Sequence, residues 1–281
     1  MISGKAKLAG VMGWPVQHSQ SPRLHGYWLQ QYNIDGAYIP LSVKPENFED
    51  AFRALPKLGF SGINITVPHK QTALQLVDAV DPVARKIGAV NTVAVSEDGC
   101  LTGYNTDGFG FLENLRRGCP GHDPRAGIAV VLGAGGAARA IVCSLIDAGV
   151  SDLRLVNRTR ARATTLAGSV AGPVSVYEFS EIDQALDGAT LLVNTTALGM
   201  QGNPPLDISL DALPVQALVN DIVYTPLQTG LLKAAEARGN PVVDGLGMLL
   251  HQARAGFEMW FGVLPEVSGD LRAHVLKGMG V

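Results

Sequence analysis

One short stretch in mid-chain restricts the fold more than any other. Ile128–Leu132 is a run of apolar residues, and Gly133-Ala134-Gly135-Gly136-Ala137-Ala138 follows it directly. A run without polar alternation is what a strand buried on both faces requires. The glycine segment fits G-x-G-x-x-G/A, and residues 139–148 continue it as a helix. In such a unit the first glycine makes the tight turn and the second admits a pyrophosphate. The third small residue lets helix and strand pack. Free N–H groups at the helix start then face the anion. Gly133, Gly135, Gly136 and Ala137 are therefore candidate contacts to a dinucleotide. A glycine-rich turn can also be a plain strand-to-helix connection. The flanking strand and helix, with a second strand predicted at residues 153–156, favour the nucleotide reading.

That second strand ends at Asn157-Arg158-Thr159. An NAD site ordinarily carries Asp or Glu at this point, bonded to the ribose 2′-hydroxyl. No acid is present, and Arg160 and Arg162 follow Arg158 closely. A guanidinium pairs in a forked manner with a 2′-phosphate, which a carboxylate would repel. The cofactor read from this segment is NADP, with Asn157, Arg158, Thr159 and Arg162 as the residues concerned. The competing reading is a solvated basic turn.

The pattern extends over the whole chain. Strands are predicted at residues 8–12, 37–41, 62–67, 90–95 and 101–104, and after residue 156 at 174–177, 191–194, 217–221 and 241–244. Helices are predicted at 21–32, with Ser21 as N-cap and Pro22 at the first helical position, at 45–58, from Pro68 to about 77, at 82–87, at 105–115, at 247–261 and after Ser268. Phe48, Phe52 and Leu55 recur at helical spacing. Residues 117–127 are rich in Gly, Pro and charge and read as a link. Strand-helix alternation beyond that link predicts a parallel sheet with right-handed crossovers.

Composition narrows the classes. The chain has 281 residues, 47% hydrophobic, enough for one large or two medium cores. Charged residues make up 17% with a net charge of −3, which argues against a nucleic-acid surface or an electrostatic membrane anchor. Polar and glycine residues interrupt the N-terminal region too early for a signal peptide, and the mid-chain uncharged stretch is too short for a membrane span. The cysteines Cys100, Cys119 and Cys143 stand far apart with no C-x-x-C pair, so a reducing cytoplasm is the simplest setting. The histidines show no zinc-type spacing with them, and no metal is expected.

Two ionisable residues stand where strand-to-helix turns place reactive groups. Lys70 falls in the first turn of a predicted helix, where a cation opposes the helix dipole. Asp107 opens another helix, in Gly103-Tyr104-Asn105-Thr106-Asp107-Gly108. The bland readings are an exposed lysine and a capping aspartate.

The ordered motifs carry a resemblance. They are Ser19-Gln20-Ser21-Pro22, Asn64-Ile65-Thr66-Val67-Pro68-His69-Lys70, Gly88-Ala89-Val90-Asn91-Thr92, the Gly103 segment, Gly133 to Ala140 and Asn157-Arg158-Thr159. Asn194-Thr195-Thr196-Ala197-Leu198-Gly199-Met200, Asp221-Ile222-Val223-Tyr224 and Asp244-Gly245-Leu246-Gly247-Met248-Leu249-Leu250-His251-Gln252-Ala253 complete the set. Over essentially its full length the chain resembles the shikimate dehydrogenase family, which includes shikimate/quinate dehydrogenases. The resemblance implies an α/β architecture with an N-terminal substrate domain, residues 1–105 completed by 247–281, and a Rossmann NADP domain, residues 106–246, with the active site in the cleft between them. It implies that Lys70 and Asp107 form the catalytic pair. Ser19 and Ser21, helped by Tyr224, would bind a substrate carboxylate, and Thr66, Asn91, Asp107 and Gln252 the ring hydroxyls. Thr196, Met200 and Gly245 would lie near the ribose and nicotinamide. The implied reaction is NADPH-dependent reduction of 3-dehydroshikimate to shikimate in aromatic amino acid biosynthesis. Two alternatives stand beside it: a quinate/shikimate dehydrogenase, and a catalytically silent NADP(H)-binding relative. The expected partners are the small-molecule substrate, with no nucleic acid and no membrane, for a monomer or a homodimer.

Overall fold

Small residues let the first strand run through the middle of a sheet. In the computed structural model, which describes residues 2–280, β1 (Lys7–Gly13) is buried from Ala9 onward. It is followed by α1 (Ser21–Gln31), β2 (Gly36–Ser42), α2 (Phe48–Arg53), β3 (Gly62–Ile65), α3 (Lys70–Leu76), β4 (Ala79–Val80), α4 (Pro82–Ile87), β5 (Thr92–Val95), β6 (Leu101–Tyr104) and α5 (Asp107–Gly118). The strands form a six-stranded sheet in the order β2-β1-β3-β5-β6-β4. The β3–β5 and β5–β6 pairs are antiparallel and the others parallel. The register sets Asn64 opposite Thr92.

The remaining chain builds a second sheet. β7 (Ile128–Leu132), α6 (Gly136–Asp147), β8 (Asp152–Val156), α7 (Arg160–Gly168), β9 (Val174–Tyr177), α8 (Ile182–Leu186), β10 (Ala189–Asn194), β11 (Leu218–Asp221), α9 (Gly230–Ala237) and β12 (Val242–Val243) follow in order. Their sheet runs β12-β11-β10-β7-β8-β9, and every pair in it is parallel. From β7 the chain winds outward one way through β8 and β9, then returns beside β7 at β10 and winds the other way. A reversal of this kind leaves a crevice at the strand ends, where ligands bind in open α/β sheets. Alternate residues of β7 serve two cores: Ala129 and Val131 pack with Phe111, Ile141 and Leu145, while Val130 and Leu132 pack with Leu186, Leu210 and Leu231. The continuous apolar run of β7 thus reflects burial on both faces.

α10 (Leu246–Phe261) and α11 (Gly269–Met279) close the chain. Contacts divide it into two units, Met1–Asp107 with Leu249–Val281, and Gly108–Met248. Both joins fall inside helices, two residues beyond the expected 105/106 and 246/247. The first join moves because Asp107 bonds residues of the first unit, whereas a side chain at Gly108 would collide with Ser144.

Other expectations are corrected by backbone chemistry. The helix expected over 45–58 is broken: only Phe48–Arg53 is α-helical, between 3₁₀ turns at Pro45–Asn47 and Pro56–Leu58. Pro56 has no N–H for the helical ladder. β3 stops at Ile65, ahead of Pro68. Ser21 is the first helical residue of α1 and not its cap; Gln20 holds the cap position, and the Ser21 N–H donates to Ser19 Oγ at 3.3 Å. The strand expected over 241–244 shrinks to two residues, because the Asp244 carboxylate turns back to accept the Leu246 N–H at the start of α10.

One face of the first sheet is covered by Phe48, Phe52, Leu55 and Ala73. On α1 and α10, Trp28 meets Phe257 at 5.3 Å between ring centroids, and Trp260 Nε1 donates to the Val93 carbonyl at 2.9 Å. Gly62 has no side chain because any Cβ there would strike Trp260 and the Val93 carbonyl. His25 lies in this aromatic cluster, stacked on Tyr38 at 3.9 Å and 3°. Neither of its ring nitrogens has a hydrogen-bond partner among the described residues, and burial pushes its pKa down to about 3. The unfolded chain takes up that proton near 6.5, so the folded state loses stability as pH falls from about 6.5 toward 3. His25→Phe, which keeps the stacking, is expected to remove that part of the slope. The stability difference between variant and parent should change by about 1.4 kcal/mol per pH unit across the window. Urea unfolding at a series of pH values checks it, and parallel curves would refute a buried neutral imidazole.

Candidate active site

Lys70 is the first residue of α3, and its neighbours hold it there. The His69 ring stacks on Phe48 at 4.1 Å, and its Nε2 lies 2.8 Å from the Val43 carbonyl. The Lys70 carbonyl accepts the Val90 N–H at 2.9 Å. Asp107 is the first residue of α5, the end at which a helix favours a carboxylate. Its N–H donates to Asn105 Oδ1 at 3.1 Å, and Asn105 Nδ2 donates to the Ala89 carbonyl at 2.9 Å. Two short loops thereby bring the two helix starts together. Lys70 Nζ donates to Asp107 Oδ2 at 2.5 Å, with the side chains 19% and 8% exposed.

Asn91 is the hub around this pair. Its Nδ2 donates to the second carboxylate oxygen, Asp107 Oδ1, at 2.8 Å, and lies 3.0 Å from Thr106 Oγ1 and 3.3 Å from Gln252 Oε1. Its Oδ1 accepts the Thr106 N–H at 2.9 Å and the Thr92 hydroxyl at 3.0 Å. A backbone N–H can only donate, so the Asn91 oxygen must face Thr106 and its NH₂ must face Asp107. Gln252 on α10 turns its own Nε2 to the Leu249 carbonyl at 3.1 Å.

Lys70, Asp107, Asn91 and Gln252 thus meet in one cluster. Ser21 is buried and hydrogen-bonds the Tyr38 hydroxyl. Tyr38 in turn donates to Asn64 Oδ1 at 2.7 Å. Burial pushes the Tyr38 phenol well above its ordinary value, with the Ser21 bond opposing. Ser19 is half-buried beside Ser21. Thr66 sits in the loop between β3 and α3; a side chain at Gly13 would collide with its methyl, and its hydroxyl joins none of the cluster's hydrogen bonds. The sequence reading gave no role to Thr106, Thr92, Asn64 or Tyr38. The first three lie inside motifs already singled out, beside residues that were chosen. Tyr38 carries no sequence signal.

The second unit presents a different site. Gly133 adopts φ +107°, where only glycine is unstrained, and a Cβ there would lie 2.8 Å from Thr195 Oγ1. Its N–H is tied to the Val156 carbonyl at 2.8 Å, which joins the loop to the end of β8. Gly135 and Gly136 differ in kind: a Cβ on either meets nothing within 4 Å. The protein's own packing does not demand their bareness, which leaves open space before α6. No side chain caps α6 and no acid lies in its first turn, so its N–H groups are available to an anion. Beyond β8, Asn157 Nδ2 braces the Thr159 carbonyl at 2.8 Å. Arg158 and Arg162 are exposed and form no ion pair among the described residues, whereas Arg160 pairs with Glu181 at 3.1 Å. Two uncommitted guanidiniums, an uncapped helix and an open glycine approach fit a dinucleotide bearing a 2′-phosphate.

After β10, Asn194 Oδ1 accepts from the N–H and the hydroxyl of Thr196 at 3.0 and 2.8 Å. Asn194 Nδ2 donates to Asp221 Oδ1 at 3.0 Å; burial raises the Asp221 pKa, against hydrogen bonds from Val223, Thr229 and Asn194. Met200 is exposed on the same loop. Gly245 is buried, and any Cβ there would strike the Ile222 carbonyl. Tyr224 follows β11, so it belongs to the second unit while Ser19 and Ser21 belong to the first.

Comparison with known proteins gives concordant matches. A family model described as Shikimate dehydrogenase substrate binding domain matches residues 11–93, Shikimate / quinate 5-dehydrogenase matches 124–200, and Shikimate 5′-dehydrogenase C-terminal domain matches 245–273. The chain is 62% identical over 276 residues to a shikimate dehydrogenase (NADP(+)) of Paramagnetospirillum magneticum, covering 98% of this chain and 100% of that one. It is similar to the crystal structure of shikimate 5-dehydrogenase from Thermus thermophilus in complex with NADP(H) and shikimate, with TM-score 0.86, 36% identity, and 96% and 99% of the two chains covered. A quinate dehydrogenase from Corynebacterium glutamicum in complex with NAD is also similar, with TM-score 0.87, 30% identity, and 98% and 99% covered.

The open space before α6 yields a direct test. Gly135→Val places a branched side chain where nothing in the protein opposes it. Affinity for NADP(H) is expected to fall on the order of tenfold or more while the melting temperature stays within a few degrees. Cofactor titration by fluorescence and thermal unfolding measure both, and undiminished affinity would remove the glycine loop from the cofactor site.

Proposed function

The chain belongs to the shikimate dehydrogenase family, and on that premise we propose that Lys70 and Asp107 are the catalytic pair of the reversible, NADPH-dependent reduction of 3-dehydroshikimate to shikimate. The enzyme is an NADP-dependent oxidoreductase acting on a CH–OH group. The observation that supports the residue assignment is the 2.5 Å contact between Lys70 Nζ and Asp107 Oδ2, framed by Asn91 and Gln252. No helix among the described residues is long and apolar enough to cross a membrane. No disulfide joins the three cysteines among the described residues, which suits a cytoplasmic enzyme.

NADPH, held by the glycine loop before α6 and the arginines after β8, would supply a hydride to a ketone carbon. The Lys70 ammonium would stabilise the negative charge that develops on the carbonyl oxygen. One N–H of that ammonium is committed to Asp107, which aims the others at the substrate and allows a proton to pass to the oxygen. Asp107 keeps its other oxygen on Asn91, so the carboxylate holds the ammonium without swinging away. In the oxidative direction the same pair removes the hydroxyl proton. Asn91, Gln252 and Thr66 present amide and hydroxyl groups suited to ring hydroxyls, and Ser19 and Ser21 to the carboxylate. A site of this polarity rejects rings lacking a hydroxyl, because its own buried groups would be left unpaired.

Arg158, Thr159 and Arg162, with no acid after β8, support NADP as the cofactor. Lys70→Ala is expected to lower kcat by roughly 10²–10⁴-fold with NADPH affinity unchanged; turnover near that of the parent would remove Lys70 from the mechanism. Arg158→Ala is expected to raise KM for NADP by about 10–100-fold and leave KM for NAD alone, as loss of a charge-assisted hydrogen bond predicts. Both follow from initial rates read by absorbance of reduced nicotinamide. Running shikimate and quinate with each cofactor also decides how far the enzyme accepts quinate or NAD, and equal losses with both cofactors would count against a 2′-phosphate contact.

A further inference from the structure

A chain of hydrogen bonds leads away from the catalytic cluster into the sheet of the first unit. Tyr38 on β2 donates to Asn64 Oδ1 at 2.7 Å. Asn64 on β3 donates through Nδ2 to Thr92 Oγ1 at 3.1 Å and to the Asn91 carbonyl at 3.2 Å. Thr92 on β5 donates to Asn91 Oδ1 at 3.0 Å, and Asn91 Nδ2 donates to Asp107 Oδ1 at 2.8 Å. All five side chains are buried.

The direction of this chain is forced. The Asn91 carbonyl can only accept, so Asn64 must turn its NH₂ toward β5 and its oxygen toward Tyr38. The Tyr38 proton is then committed to Asn64. The Thr92 hydroxyl accepts from Asn64, so its one proton goes to Asn91. The Thr106 N–H fixes the Asn91 oxygen from the other side at 2.9 Å. Every dipole therefore points its positive end at the Asp107 carboxylate, and bonds aligned head to tail polarise one another.

We infer that Tyr38 and Thr92 are positioning residues of the reaction: through Asn64 they hold the Asn91 amide against Asp107, and so set where the Lys70–Asp107 pair stands. This rests on that pair being catalytic. Neither residue needs to touch the substrate. Packing supports the far end, because the His25 ring lies flat on Tyr38 and Ser21 bonds its hydroxyl. Ser21, a candidate carboxylate contact, is thereby joined to the hydroxyl-binding end of the site by side chains drawn from three strands.

The test compares Tyr38→Phe, Thr92→Val, Thr92→Ser and the Tyr38→Phe/Thr92→Val double variant. Thr92→Val matches the parent in shape and leaves Asn64 its Asn91 carbonyl and Asn91 its Thr106 N–H, so the fold is retained. Tyr38→Phe keeps the ring on His25. The expected result is a roughly tenfold fall in kcat for Tyr38→Phe and for Thr92→Val, with KM for NADPH within about twofold of the parent. Thr92→Ser, which keeps the hydroxyl, should restore most of that loss. The double variant should be no slower than the slower single one, since both break one series. Parental kcat in Tyr38→Phe and Thr92→Val beside an inactive Lys70→Ala overturns the inference and leaves the catalytic assignment standing. So does a Thr92→Ser as slow as Thr92→Val, or a double variant whose loss is the product of the two single losses. A fully active Lys70→Ala overturns the inference together with the assignment beneath it.

Discussion

An ammonium at the first residue of a helix is repelled by that helix's own dipole, and the Asp107 carboxylate is what offsets the repulsion at Lys70. The first unit is arranged around this contact. Holding the two helix starts 2.5 Å apart at the ion pair takes a lysine backbone pinned by Val90, an aspartate backbone bonded to Asn105, and an amide that occupies the carboxylate's other oxygen. A half-exposed lysine and aspartate would gain about 1 kcal/mol or less from pairing. Here both side chains are largely removed from water, so each depends on its partner far more than a surface pair does. As the proposed catalytic pair, a contact braced by these hydrogen bonds has its charges preorganised before the reaction.

The second unit differs in leaving backbone exposed, at the uncapped start of α6. Its glycines divide into two sets with different causes. Gly133 and Gly245 are required by the protein itself, one by a left-handed turn against Thr195 and one by the carbonyl of Ile222. A Cβ on Gly135 or Gly136 would meet nothing within 4 Å, so the protein's own packing does not require their lack of side chains. Gly133, Gly135 and Gly136 follow β7, beside which the sheet reverses its winding at β10, whereas Gly245 follows the edge strand β12.

Between local chemistry and whole-unit architecture lies the sheet register. Asn64 opposite Thr92 is a pairing of neighbouring strands, and it converts two unremarkable polar residues into links of one directed series. The series also accounts for so much polar matter beneath the site. Each donor of the series has an acceptor, and the Asn91 carbonyl and the Thr106 N–H, which can only accept and only donate, give it its direction, with the carboxylate at its positive end. His25 contributes by remaining neutral, since a charged imidazole against Tyr38 would have no partner.

Much was legible from the amino-acid sequence alone. The strand, glycine turn and helix from Ile128 to Ala148, the absence of an acid directly after β8, and the location of Lys70 and Asp107 in the first turns of helices, which begin two residues later than the expected Pro68 and Asn105, are all local features, in which residues within a few positions dictate backbone conformation and available N–H groups. Local rules also misled where they competed: Pro56 broke a helix that apolar spacing favoured, and Ser21 entered the helix it was expected to cap because Ser19 accepts its N–H. Arg160, indistinguishable in sequence from its neighbours, proved to be engaged by Glu181. The parts that only the tertiary structure decided are contacts across long separations. The Lys70–Asp107 bond joins residues 37 positions apart, Tyr38–Asn64 26, and Asn91–Gln252 161. The physical reason is that a polar side chain acquires its role from whichever donor or acceptor the packed strands set opposite it, and that is settled by register and burial, which a linear order of residues does not contain.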